Sequence, residues 1–101
     1  MNTQDLIKQI KARFNLNYQK IQLKEKYESK LIFANQGGLW LAGPDLFSIL
    51  SFLADDELII VDLYKNPVKV KRTELYLKAA EVYKTVMLDW HKEFEELKNN
   101  R

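Results

Sequence analysis

Apolar and polar positions alternate along this chain with two different periods. Residues 3–14 (TQDLIKQIKARF) place Leu6, Ile7, Ile10 and Phe14 three or four positions apart, with Thr3 as a candidate N-cap and Asp5 in the first turn. That spacing predicts an amphipathic helix with a narrow apolar stripe, broken at Asn15 and Asn17. From Tyr18 the period changes. Ile21, Leu23, Tyr27, Leu31 and Phe33 share one parity, while Lys20, Lys24, Lys26 and Lys30 occupy the other. Period two predicts a long, bent strand. Glu25 and Ser29 interrupt its apolar face, which leaves a helix through 18–28 as the alternative.

Asn35-Gln36-Gly37-Gly38 supplies residues that tolerate positive φ, a hairpin signal, with Leu39–Ala42 as the returning strand. Gly43-Pro44-Asp45 reads as a helix start, with glycine as N-cap, proline at the first helical position and an acid near the positive end of the helix dipole. Leu46, Phe47, Ile49, Leu50, Phe52 and Leu53 follow, so this short helix is expected to be buried on most sides. Asp55-Asp56 ends it. Residues 57–64 (ELIIVDLY) form the strongest strand pattern. Lys65-Asn66-Pro67 reads as a turn and Val68–Lys71 as a short edge strand, completing a second hairpin. Thr73 and Glu74 open a helix over about 73–98, in which Tyr76, Ala79, Val82, Tyr83, Val86, Trp90, Phe94 and Leu97 keep helical spacing.

Length matters for that last helix. A run of about 25 helical residues spans ~37 Å, whereas a compact chain of this size has a radius of gyration of ~13 Å. The helix must cross the domain or overhang it. Trp90, Phe94 and Leu97 on its distal turns are therefore candidate oligomer contacts. Alternatively, the N-terminal helix folds back to cover them. The 101 residues make one domain, 1–101, with neither linker nor repeat.

Composition narrows the classes. The chain is 47% hydrophobic and 30% charged with 3 Gly and 2 Pro, which excludes a low-complexity or collagen-like sequence. Cysteine is absent, which excludes disulfides, thiolate metal sites and cysteine nucleophiles. No apolar run reaches the ~18 residues of a membrane span and no signal-peptide pattern opens the chain, so a soluble, intracellular protein is expected. The net charge of +2 conceals a partition. Residues 1–30 carry seven bases and three acids; residues 31–64 carry five acids (Asp45, Asp55, Asp56, Glu57, Asp62) and no Lys or Arg. Lys65, Lys69, Lys71 and Arg72 then follow within eight residues with no acid. With Asn66, and with Tyr64 as a stacking platform, they form a candidate nucleic-acid site. The competing reading is a strand edge protected by lysines, with Tyr64 ending a core strand. Lys8, Lys11 and Arg13 offer a second basic face or ordinary helix solvation.

The chemistry of an enzyme is hard to find. His91 is the only histidine and has no metal-ligand spacing around it. Asp55-Asp56-Glu57 is one short polar stretch, whereas a hard cation needs ligands from several converging elements. Ser48 and Ser51 have no base beside them, and Gly37-Gly38 lacks the lysine and the following helix of a phosphate loop. No catalytic residue, metal ligand or cofactor is expected.

The runs LKEKYESKLIFANQGGLWLAGP and ELIIVDLYKNPVKVKRTEL resemble the small Sm-like proteins of T4-like cyanophages, over nearly all of residues 1–97. The stretch from Leu63 to Val70 is similar to the second Sm motif, a polar Asn turn between two hydrophobic strands. The resemblance implies an all-β small Sm-like barrel with flanking helices, built on a strongly bent antiparallel sheet. It further implies a homo-oligomeric ring, a pentamer or similar, closed by pairing the Val68–Lys71 edge (Val68 and Val70 at the joint), with RNA bound at the turn. The expected setting is the cytoplasm of an infected bacterial cell or the virion. A phage protein engaged through the C-terminal helix is the alternative partner.

Overall fold

The structure, a computed structural model, describes residues 3–99. The elements run α1 (Thr3–Lys30), β1 (Ile32–Asn35), β2 (Gly38–Leu41), α2 (Pro44–Phe52), β3 (Glu57–Val61), β4 (Pro67–Lys71) and α3 (Arg72–Asn99). Helices of 28, 9 and 28 residues dominate, and the strands form two separate two-stranded sheets. The expected all-β Sm-like barrel is therefore corrected: the architecture is mostly helical α+β, with no closed barrel among the described residues.

The correction originates in residues 15–30. Asn15 and Asn17 do not end the first helix, and the expected strand from Tyr18 is helical, as its alternative had it. The segment 18–30 consists chiefly of Gln, Lys, Glu and Leu, good helix formers, with Ile21 its only β-branched aliphatic residue. A mid-helix Asn costs under about 1 kcal/mol relative to Ala, too little to stop a helix whose later turns are packed. The packing follows a helical period: Leu16, Lys20, Leu23 and Tyr27 fall on one face, half-buried to buried, while Ile21 faces outward. Lys24 and Glu28 add an exposed i,i+4 ion pair at 3.1 Å.

Both hairpins form where the turn residues place them. Gln36 (φ 51°) and Gly37 (φ 81°) are the two left-handed central residues of a tight turn that pairs Asn35 with Gly38. Gly38 has a different constraint: a Cβ there would lie 2.4 Å from the Trp40 ring. That ring lies over the glycine and donates its Nε1–H to the Asn35 carbonyl at 2.9 Å. In the second hairpin Glu57 pairs with Lys71, Ile59 with Lys69 and Val61 with Pro67. Leu58, Ile60 and Val70 face inward, as period-two alternation requires.

One core joins the pieces. Leu50, Leu75 and Val70 are fully buried at its centre, with Phe33, Trp40, Leu46, Leu58, Ile60, Ala79 and Val86 around them. Phe47 of α2 meets Tyr76 and Tyr83 of α3 edge-on at 5.6 and 5.8 Å. The expectation that α2 is buried on most sides is corrected: Leu46 and Leu50 are buried, but Ile49, Leu53 and especially Phe52 (86% exposed) face outward.

The hairpins, α2 and the first half of α3 form a head. The second half of α3 pairs with the C-terminal half of α1. Tyr27 stacks on Trp90 at 6.1 Å, and Glu93 accepts hydrogen bonds from Lys26 Nζ (2.6 Å) and the Tyr27 hydroxyl (2.5 Å). Further along, Lys20 Nζ lies 5.7 Å from the centre of the Phe94 ring. Because α1 advances toward its N-terminus as α3 advances toward its C-terminus, α1 residues 6–15 run past Asn99 and are exposed on every side. The molecule measures 65 × 24 × 21 Å with a radius of gyration of 19.3 Å, well above the ~13 Å of a compact chain.

Candidate association surfaces

The residues expected at a nucleic-acid site lie on the second hairpin, except Arg72, which opens α3. Tyr64 (73% exposed) and Lys65 (φ 64°) stand at the tip of the second hairpin. Asn66 belongs to the turn itself, its N–H donating to Asp62 Oδ1 at 3.0 Å and its carbonyl accepting from Asp62 N–H at 3.0 Å. Lys69 crosses to Glu57 at 3.0 Å, and Lys71 lies 4.0 Å from Glu74. Arg72 turns inward, where Nη1 donates to the Leu50 carbonyl at 3.3 Å and takes up the negative end of α2. Of the four bases, only Lys65 has no side-chain partner among the described residues.

The expected oligomer contacts are also distributed differently. Val70 is part of the core and Val68 is half-buried against it. The outer main chain of β4 is engaged at Lys71, whose N–H donates to Gln36 Oε1 at 2.7 Å and whose carbonyl accepts from Gln36 Nε2 at 3.3 Å. Trp90 packs on Tyr27, and Phe94 and Leu97 are half-buried beside α1. The overhanging element is thus the front of α1, while the distal turns of α3 are partly covered.

Asp62 was missed as a key position. Its side chain is 7% exposed and collects three backbone N–H groups: Tyr64 and Asn66 on Oδ1 and Leu39 on Oδ2, each at 3.0 Å. With Leu63 N–H donating to the Leu39 carbonyl at 2.9 Å, it fastens one hairpin to the other. The N–H donors of Asn66 and Leu39, then Tyr64, hold its carboxyl below the ordinary value. An acid at the start of a turn is a legible signal for the two local bonds. The bond from Leu39 depends on tertiary docking and leaves no local pattern.

Among the described residues, two apolar surfaces are uncovered. The first is on α1, where Ile7, Ile10, Phe14 (70% exposed) and Ile21 recur at three-, four- and seven-residue intervals, with Leu6 and Tyr18 at the margins. At about 100° per residue, this stripe sits roughly 140° around the axis from the Leu16–Lys20–Leu23–Tyr27 face that meets α3. α1 is therefore apolar on two sides, and α3 covers only one. Ile21 makes the point: it lies outward even where the two helices run together. The second surface is a groove of about 200 Å³ in the head, between β2, α2 and the end of β3, where Leu41, Ile49, Val61 and Leu63 reach solvent beside Asp45. It continues along α2 past Ile49 to Phe52 and Leu53.

Among the described residues there is no cluster of three metal-ligating side chains, and no helix is long and apolar enough to cross a membrane. Comparison with protein-family models, with curated proteins and with solved structures finds no match.

Proposed function

We propose that this chain is a non-enzymatic association protein that works as a homo-oligomer, with the outward face of α1 as an assembly element. The observation that carries this reading is the two-sided character of α1. A helix projecting from a domain is expected to be polar all round, yet this one keeps Ile7, Ile10, Phe14 and Ile21 on a face that the rest of its own chain leaves open. A stripe of this kind is stabilised by burial against another protein surface. RNA binding at residues 64–72 is supported less, because Lys69 and Lys71 are ion-paired and Arg72 points into the head.

Light scattering at tens of micromolar tests the proposal. The wild-type chain is expected to run as an oligomer, and the double variant Ile10→Glu/Phe14→Glu as a folded monomer that still unfolds cooperatively. A monomeric wild type would reject the reading. Purified material with the ultraviolet absorbance ratio of a nucleoprotein would return attention to Tyr64 and Lys65.

A further inference from the structure

We infer that the projecting front of α1 docks into the head groove of a second copy, so that the protein assembles head to tail. This rests on the association reading above and specifies its geometry. The two uncovered apolar surfaces lie toward opposite ends of a 65 Å molecule and differ in charge. Over residues 3–21, α1 carries Lys8, Lys11, Arg13 and Lys20 against one acid, Asp5. The head segment 31–64 carries no Lys or Arg at all; Asp45 stands on the groove and Asp55 and Asp56 lie beyond Leu53. Asp62 adds a further negative charge in the groove lining.

Shape agrees with charge. A cavity of about 150 Å³ lined by apolar side chains takes a benzene ring, and the head groove of about 200 Å³ has room for one aromatic side chain. Phe14, at the centre of the α1 stripe, is the most exposed large apolar residue of that face. With Phe14 in the groove, Ile10 and Ile7 run along the exposed side of α2 over Ile49 and Phe52, and Lys11 and Arg13, which flank the stripe, face Asp45, Asp55 and Asp56. A symmetric pairing of two α1 stripes would instead bring two basic faces together and leave the acidic groove uncovered. A head-to-tail joint is heterologous, and it produces either a closed ring or an open filament.

The test is complementation between two disabled chains. A tail variant (Ile10→Glu/Phe14→Glu) keeps its head, and a head variant (Ile49→Glu/Val61→Glu) keeps its tail. Each alone is expected to run as a monomer at tens of micromolar, and an equimolar mixture as a heterodimer that grows no further, because only one intact joint can form. If the head variant assembles like wild type, or if the mixture remains monomeric, the head-to-tail geometry is rejected while self-association through α1 stands. A wild-type monomer would reject both. Charge variants at exposed positions guard against misfolding. Lys8→Glu/Lys11→Glu/Arg13→Glu and Asp45→Lys/Asp55→Lys/Asp56→Lys should each lose assembly, and the two changes combined in one chain should restore it. Failure of the combined chain to recover would also reject the geometry.

Discussion

Asp62 and Gly38 show how much can depend on single atoms here. Asp62 accepts three N–H groups on two oxygens, so Asp62→Asn necessarily points an amide N–H₂ at a main-chain donor. The carboxyl is held below its ordinary value, so its contribution is complete above the unfolded-state pKa of about 3.9 and is lost as pH falls through the native value. The expected result is a lower melting temperature for Asp62→Asn at pH 7, with the gap to wild type closing below about pH 4. Gly38→Ala tests a steric claim. The added methyl meets the Trp40 ring at 2.4 Å, so the variant is expected to lose about 1–3 kcal/mol in urea titrations. The left-handed turn beside it was legible from Gln36-Gly37, but the contact between Gly38 and Trp40 was not. It depends on where a ring two residues away folds back.

At the scale of elements, the sequence marked both hairpins, α2 and α3 to within a few residues, because turn chemistry and capping are local. It misread α1. Over 18–31 the apolar positions satisfy periods of two and of 3.6 alike, and only composition separates them. The front of that helix also behaves differently from its back. Residues 6–15 of α1 are exposed with no other helix packed on them, so their helicity is a local equilibrium, and isolated helices of this length are marginal. Replacing Asn15 and Asn17 with Ala should gain roughly 0.5 kcal/mol of local helix propensity at each site. Circular dichroism of the monomeric Ile10→Glu/Phe14→Glu background should then show more helix, with an unchanged thermal midpoint for the head. A shifted midpoint would mean that the front of α1 is coupled to the core.

At the scale of the whole molecule, stability belongs to the head and association to the surfaces that the head leaves open. Leu75 is fully buried, so Leu75→Ala is expected to cost about 2–5 kcal/mol. Ile7→Ala, a comparable truncation on the overhang, should leave the melting point of the monomeric background in place and, made in the wild-type chain, weaken assembly. The length arithmetic has the C-terminal helix cross the domain or overhang it, whereas the overhanging element is the front of α1. Trp90, Phe94 and Leu97 are partly covered because residues 18–30, whose period-two pattern predicts a strand, are helical and pack beside them. The head groove was not legible either. Leu41, Ile49 and the pair Val61 and Leu63 come from three separate stretches, and each alone reads as a core residue.

The clasp between α1 and α3 joins the two ends of the chain, with Tyr27 and Trp90 separated by most of its length. The elements between them are made locally, hairpins of a few residues and a nine-residue helix, and the bonds that tie these together, Leu39 to Asp62 and Gln36 to Lys71, span shorter separations. Contacts between distant chain segments close late and open early relative to local ones. Amide exchange in deuterated solvent should therefore resolve three tiers in the monomer: fast before Leu16, intermediate across the clasp, and slowest at Leu58, Val70 and Leu75. Each opening of the clasp without loss of the head would bare Tyr27 and Trp90, lengthening the projecting arm from about ten residues to nearly thirty.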